Sequence, residues 1–484
     1  MATMQQPRAE FVRAISRLDA TALVVGSMIG SGIFIVSAEI LRQVQTPGLL
    51  LLVWGLSGVV TLLGALTYGE LAAMYPKAGG QYVYLREGIS PLFGYLYGWT
   101  LFVVIQTGTI AAVAVAFARF TSVLIPALSP DVFLGSTISF PQPIGDIQVG
   151  LSAQRIFAIL SIVLLTWVNV RGVKTAAFIQ TSLTAIKTAA LAALILLGVS
   201  IGRNAAAIAT NFGPGFWPAG GLTLAALPVI GGAMVGSLFS MDAWNNVGFA
   251  SGELKNPEKD LPFAMAVGVL VVTTLYVLAN VAYLNVLPAD GIAHAPQDRV
   301  GTAALQAMFG SPGLYIMAVA IMISTFGCNN GLILSGARVY YAMARDNLFF
   351  QSAAVLHPQY KTPAVALIVQ AIWTCVLCLS GTYSQLLNFV IFAAVAFYTV
   401  TAIGLFRLRR RLPQALRPVR APGYPWLPAV YVVLTALIAI DLLVQPATRT
   451  YATLGLGLVL LGVPVYFLWR RWASPLAVTP PTSH

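Results

Sequence analysis

Apolar residues run along this chain in blocks longer than a strand or a soluble helix requires. Thr181 to Ile201, Phe263 to Leu287 and Tyr451 to Trp469 each reach the ~20 residues a helix needs to cross a hydrocarbon core about 30 Å thick. Proline, glycine and charged residues punctuate the blocks. The pattern predicts about twelve spanning helices, near 18–42, 47–75, 91–124, 154–170, 178–201, 222–249, 262–287, 310–345, 362–381, 384–407, 426–444 and 450–471. Residues 1–17 read as a largely polar cytoplasmic segment, and the first apolar block leads into the second without a small-residue cleavage pattern, so a cleaved signal peptide is not expected. Residues 472–484, rich in Pro, Ser and Thr, read as a disordered cytoplasmic tail.

Composition turns this pattern into a solvent. The 484 residues are 58% hydrophobic and 9% charged, against about 25% charged for a soluble domain, so the expected class is all-α integral membrane. With the N-terminus in the cytoplasm, twenty of the 27 Lys and Arg fall in or beside inner loops and tails, six lie on the outer side and Lys187 lies within a span. The positive-inside rule then predicts a multi-pass protein of the cell (inner or plasma) membrane with both termini cytoplasmic. The densest basic run, Arg407 to Arg420, fits topogenesis and contact with anionic lipid. A net charge of +12 gathered at one membrane face does not point to nucleic acid.

Catalysis, metal binding and cofactors find no support. The three histidines, His294, His357 and His484, all lie outside the predicted mid-spans, and no H-E-x-x-H or G-x-S-x-G constellation occurs. Cys328, Cys375 and Cys378 lie in apolar blocks, and Cys375-x-x-Cys378 reads as helix packing because no histidine or second pair accompanies it. A channel would want repeated pore loops or a ring-forming acidic motif, and neither appears.

Two blocks are interrupted at membrane depth, where an unpaired backbone group costs several kcal/mol. The first holds Gly26-Ser27-Met28-Ile29-Gly30-Ser31-Gly32; alone, Gly26-x-x-x-Gly30 could equally be close helix packing. The sixth holds Gly231-Gly232 and Gly236, then Ser240-Met241-Asp242-Ala243-Trp244-Asn245-Asn246. Segments 18–201 and 222–407 are nearly equal in length, hold five spans each and begin with their interrupted helix, and an odd repeat of five forces inverted topology; 426–471 adds helices 11 and 12. Inverted repeats with discontinuous helices in matching places point to a secondary transporter with its site near the midplane. N–H groups around Ser31, Gly32 and Ile33, at the positive end of the resumed helix, suit a carboxylate, while carbonyls near Met28 and Phe239 suit an ammonium. An α-amino acid carries both.

At these residues the chain resembles the amino acid/polyamine/organocation superfamily, and within it the L-type amino acid transporters and their bacterial relatives. The resemblance rests on Ile29-Gly30-Ser31-Gly32-Ile33-Phe34, Tyr68-Gly69-Glu70-Leu71 through Gly79-Gly80, Phe239 to Asn245 with Gly252-Glu253-Leu254-Lys255-Asn256-Pro257, Phe326 to Gly331, and the Arg-rich run after the tenth span. It implies the leucine-transporter fold, with helices 1 and 6 discontinuous, and carriage of amino acids by alternating access, often as exchange. It carries the substrate site onto Met28, Ile29, Gly30, Ser31, Gly32, Phe239, Ser240, Asp242 and Ala243, with Phe239 also the gate and Asn245 supporting the unwound sixth helix. Animal L-type carriers pair through an outer-loop cysteine with a glycoprotein heavy subunit. The loop at 125–153 has no cysteine here, so no disulfide-linked heavy subunit is expected.

The polar residues inside the spans keep several readings open. Lys187 shares a face with Thr181, Thr184 and Thr188, and unpaired it would cost about 2.5 to 3.5 kcal/mol on insertion scales. It either props the broken first helix or replaces the cation that sodium-coupled relatives hold between helices 1 and 8, which would make the carrier sodium-independent and link its cycle to protonation or conformational state. Ser324, Cys328, Gly331, Ser335 and Arg338 form one small, polar stripe on the eighth span, for packing or for ion contact. Gln106, with Thr109 a turn later, either lines the cavity or makes an interhelical hydrogen bond. Asp242 caps the resumed sixth helix, binds the substrate ammonium or selects a cationic side chain. Glu70, Glu253 and Lys255 read as inner gate or loop-ordering residues. The expected function is sodium-independent exchange of neutral amino acids. A proton-coupled symporter, a carrier of cationic amino acids or polyamines, and a non-transporting sensor are the alternatives.

Overall fold

The computed structural model describes residues 11–128, 133–135, 137–140, 147–224, 226–380 and 383–472. The tail from 473 on, residues 1–10 and much of the 125–153 loop, all given expectations above, lie outside them. The chain is helical almost throughout. α1 (Arg17–Met28) and α2 (Gly32–Val44) form one span bent by 40° at the intervening residues. α3 (Pro47–Met74) returns, α4 (Gln81–Gly88) is short, and α5 (Pro91–Thr100) continues through a π-turn into α6 (Gln106–Thr121). Strands β1 (Ile138–Phe140) and β2 (Ile147–Val149) pair antiparallel in the loop before α7 (Ala153–Val170) and α8 (Val173–Val199). Short α9 (Ala205–Asn211) precedes α10 (Ala226–Ser240) and α11 (Pro257–Val286). α12 (Ala289–Ala293) and α13 (Val300–Phe309) lead to α14 (Ser311–Arg345), followed by α15 (Ala364–Ser380), α16 (Tyr383–Arg411), α17 (Trp426–Val444) and α18 (Pro446–Trp472).

Among the described residues nine helices are long and apolar enough to cross a membrane, and the α1–α2 pair makes a tenth. α10 and α15 are apolar but shorter and occupy the places of the predicted sixth and ninth spans. The twelve predicted blocks therefore each contain a helix, and the protein is a multi-pass membrane protein. One boundary needs correction: the block at 222–249 is helical only to Ser240, and 241–256 forms turns and two 3-10 turns. That stretch carries Asp242, Asn245, Asn246 and Glu253, whose side chains find distant partners rather than a helix surface. The structure also adds α4, α9, α12 and α13, which lie in loops too short and mixed to show a period.

Local sequence explains several helix ends. Ser16 caps α1 by accepting from the Asp19 N–H at 3.2 Å while Asp19 accepts from the Ser16 N–H at 3.1 Å, a reciprocal capping box. Pro47 and Pro91 open α3 and α5 in the first turn, where a missing N–H costs nothing. Gly172, at φ +136°, makes the tight turn from α7 to α8. Large apolar side chains such as Leu160, Leu164 and Trp167 on α7, Phe178 and Ile186 on α8, and Leu437 and Ile440 on α17 are exposed, as a lipid-facing belt requires. The interior is unusually polar for so apolar a chain: Lys187, Arg338, Glu253, Glu70 and Asn330 are all buried.

Candidate functional site

The first break begins where Ile29 leaves helical geometry (φ −74°, ψ 90°) and ends where Gly32 opens α2. Residues at the start of α2 have no carbonyl four residues back within the helix, so Ser31, Gly32 and Ile33 present the positive end of its dipole. The carbonyls freed on the other side are held by neighbours. The Nζ of Lys187, buried on the inward face of α8, donates to the carbonyls of Gly26 at 2.5 Å, Ile29 at 2.7 Å and Ser324 at 3.3 Å. Ser324 Oγ donates to the carbonyls of Ile29 at 3.2 Å and Gly30 at 3.0 Å, and Cys328 Sγ lies 3.0 Å from the Ser27 carbonyl. The lysine Nζ thus sits between α1 and α14 among three carbonyl oxygens.

The stripe on α14 runs along the first helix. A Cβ on Gly30 would lie 3.0 Å from Cys328 Sγ, and one on Gly331 would lie 2.5 Å from Ser27 Oγ. Further along, Ser335 bonds back to its own helix, and Arg338 pairs with Glu253 at 2.9 Å, both side chains 1% exposed. On α8, Thr184 donates to the Ala22 carbonyl at 3.1 Å and Thr181 to Asp19 at 2.9 Å, so the lysine face fastens α1 along three successive turns.

The second break lies against the first. A Cβ on Gly32 would fall 2.0 Å from Ser240 Oγ and 3.1 Å from Ser240 Cα, so only glycine permits this approach. Ser240 ends α10, and Ala243 takes the left-handed conformation at φ +68°, a geometry that costs a non-glycine residue and persists where its surroundings over-determine it. Phe239 and Asn245 are buried beside it. Asp242 does not cap a resumed helix, because no regular helix resumes before Pro257. Its carboxylate instead accepts a hydrogen bond from the Tyr398 hydroxyl of α16 and one from the Ala243 N–H. A cavity of about 20 Å³ lies beside it, lined by Thr61, Tyr398, Tyr431 and Thr435 among others, enough for about one water molecule.

Gln106 follows the π-turn and makes the interhelical bond: its Nε2 donates to the Leu332 carbonyl at 2.8 Å, and its Oε1 accepts from Asn246 at 3.4 Å. Thr109 bonds within its own helix. Asn245 donates to Gln81 Oε1 at 2.6 Å, and Gln81 donates in turn to Thr401. The unwound segment after α10 is therefore tied to α4, α6 and α16.

Sequence reasoning missed Tyr276. Its hydroxyl on α11 lies 2.8 Å from the Met28 carbonyl and 3.2 Å from the Ser240 carbonyl, and so joins the two breaks. The available signal was a polar pair one turn apart in an apolar block, since Asn280 accepts from Ser37 of α2 at 2.7 Å. It also missed Asn330, which donates to Gln180 and accepts from Asn169 at 3.0 Å. No group of three or more His, Cys, Asp or Glu able to hold a metal occurs among the described residues.

Residues 15–460 match the sequence pattern of a family described as amino acid permease. The chain is 32% identical over 470 residues to the large neutral amino acids transporter small subunit 2 of Rattus norvegicus, covering 95% of this chain and 81% of that one. It is 31% identical to the serine/threonine exchanger of Bacillus subtilis (strain 168), covering 96% and 98%, and 31% identical to the Asc-type amino acid transporter 1 of Mus musculus, covering 96% and 83%. The helical membrane architecture with broken helices 1 and 6 is that of the leucine-transporter fold, and the matched pattern spans every helix from α1 to α17. The chain belongs to the amino acid permease family, whose members are transporters and not enzymes.

Proposed function

We propose that the chain exchanges neutral L-amino acids across the cell membrane by alternating access, without sodium, with both termini in the cytoplasm. The observation that carries this reading is the Lys187 ammonium, which donates to carbonyls on both α1 and α14 at the first helix break. A cation already built into the chain removes the need for one from solution, and a fixed charge suits a cycle in which one substrate leaves before another enters. The relatives named as a neutral amino acid transporter and as an exchanger support the same substrate class and mode.

In this reading the substrate carboxylate meets the amides of Gly30, Ser31 and Gly32, and its ammonium meets carbonyls at Met28 and Phe239. Ala243 leaves room for the side chain, Phe239 gates it, and Gln106 and Asn245 hold the wall of the site. Segments 18–201 and 222–407 act as the two inverted halves. Asp242 is already engaged by Tyr398 and the Ala243 amide, which favours neutral over cationic side chains. Its three cysteines lie in α14 and α15, which supports work without a disulfide-linked partner.

The test is uptake of radiolabelled amino acids into liposomes carrying the pure protein, in choline and in sodium buffers, with and without amino acid trapped inside. Stimulation by internal amino acid, equal in both buffers and competed best by neutral amino acids, is the expected result. A strict sodium requirement, or no competition by any amino acid, overturns the reading.

A further inference from the structure

Two neighbouring helices, α16 and α17, each carry an exposed stripe that ends in something other than an apolar residue. On α17, Val430, Val433, Leu437 and Ile440 recur at spacings of three and four and are all exposed. Trp426, 77% exposed, heads that stripe at the first residue of the helix. A tryptophan at the end of a lipid-facing stripe sits at the depth of the headgroups. On α16 the stripe runs Ile403, Arg407, Arg410, again four and three apart, and all three are exposed. At 1.5 Å per residue the two arginines lie about 6 and 10 Å beyond Ile403, where the stripe leaves hydrocarbon. The Thr399 hydroxyl donates to Thr435 at 2.9 Å and holds the two helices side by side.

These ends lie on the N-terminal face. Glu70 follows Gly69, whose Cβ would lie 3.3 Å from Pro262, and Asp260 in the same turn pairs with Arg17 at 2.7 Å. The basic run turns its side chains two ways. Arg409 lies about 200° round the helix from Arg407 and pairs with Glu70, as does Arg417. Arg407 and Arg410 face away from that carboxylate, and no ion pair or hydrogen bond engages them among the described residues. The segment joining the helices folds back on α16: the Tyr424 ring lies 5.3 Å from the Phe406 ring and 3.7 Å from the Arg409 guanidinium carbon. Trp426 therefore follows directly on residues packed against the arginine-bearing end of α16.

We infer that these ends of α16 and α17 bind an anionic phospholipid of the bilayer. The guanidiniums of Arg407 and Arg410 take the phosphate, which their planar forks match through paired N–H donors. The Trp426 indole lies at the glycerol level, and the acyl chains run along the two apolar stripes. A lipid held there braces from the membrane side the same segment that Glu70 fastens from the protein side.

In the test, delipidated protein in neutral detergent is titrated with dioctanoyl phosphatidylglycerol, with dioctanoyl phosphatidylcholine and with glycerol phosphate. Binding is read as the rise in thermal midpoint and as lipid retained in native mass spectrometry. The anionic lipid binds about tenfold to thirtyfold more tightly than the zwitterionic one, the contribution of two arginines beside a negative headgroup, and glycerol phosphate at the same concentration does nothing. Arg407→Gln with Arg410→Gln makes the two lipids equal, while Arg407→Lys with Arg410→Lys keeps part of the preference. Arg470→Gln with Arg471→Gln, exposed where α18 returns to the same face, leaves it whole. Equal binding of both lipids to the wild type, or a preference that survives the paired glutamines, overturns the site. An equal loss in the α18 pair reduces it to diffuse surface charge, and binding of glycerol phosphate as tight as that of the lipid makes it a free-anion site; either result also overturns it.

Discussion

The two helix breaks are decided by single atoms. Gly32 has no side chain because Ser240 occupies the place a Cβ would take, so Gly32→Ala parts α2 from α10 at an overpacking cost of about 1–3 kcal/mol. Transport by Gly32→Ala falls by more than about tenfold, and Gly32→Ala with Ser240→Gly recovers part of the rate, measured as initial uptake at equal protein in the membrane. A carbonyl left with neither partner nor water costs about 1–3 kcal/mol; Lys187→Ala removes a donor from three carbonyls, of which that of Ile29 keeps the Ser324 hydroxyl. Its expected outcome is a slowed cycle and an altered pH profile of exchange; kinetics unchanged at every pH contradict the proposed role. Tyr276→Phe removes the hydroxyl shared by the Met28 and Ser240 carbonyls and raises KM from both faces alike. The glycines and Lys187 were legible in the sequence because each breaks the rule of its surroundings. Tyr276 was harder to read, because its one signal is Asn280 a turn later in the same apolar block and its partner Met28 lies 248 residues away.

At the scale of elements, the spans were readable because lipid demands long uniform blocks, and a helix with every backbone group satisfied is the common answer. The interruption from Ser240 to Asn246 was readable too, but the turns that follow it to residue 256 were not, since their backbone is satisfied locally and their side chains by other elements. The Asn245 bond to Gln81 and the Glu253 pair with Arg338 require α4 and α14 to be in place first. That buried pair gives a clean expectation. Glu253→Gln strands the Arg338 guanidinium and destabilises the protein by about 3–5 kcal/mol. The double change Glu253→Gln with Arg338→Met removes the charge as well and regains most of it, read as the thermal midpoint of the detergent-solubilised protein. If the double variant is as unstable as the single one, the loss is not one of an unpaired charge.

Over the whole molecule, the N-terminal face is where distant parts of the chain are fastened together. Glu70 at the end of α3 accepts from Arg409 at 2.5 and 2.9 Å, from Arg417 at 3.1 Å and from the Ala421 N–H at 2.8 Å, which lashes the segment after α16 to the third helix. The basic run reads from the sequence as topogenic and lipid-facing; two of its arginines, Arg409 and Arg417, also have this internal partner. Glu70→Ala frees that segment and speeds its cleavage by trypsin added on the N-terminal face relative to the wild type. A different fastening uses no side chain. Ile15 donates its N–H to the Glu253 carbonyl at 2.9 Å and accepts from the Lys255 N–H at 3.0 Å, beside the unwound sixth helix. The join itself reads no side chain, but the Ile15 side chain is buried in the apolar core, so residue 15 has to stay apolar, and proline, which has no N–H, is barred. The entry segment is thus spliced by two backbone bonds and pinned by one apolar side chain, and an amide-exchange experiment at residue 15 would read how firmly the far end of the second break is moored.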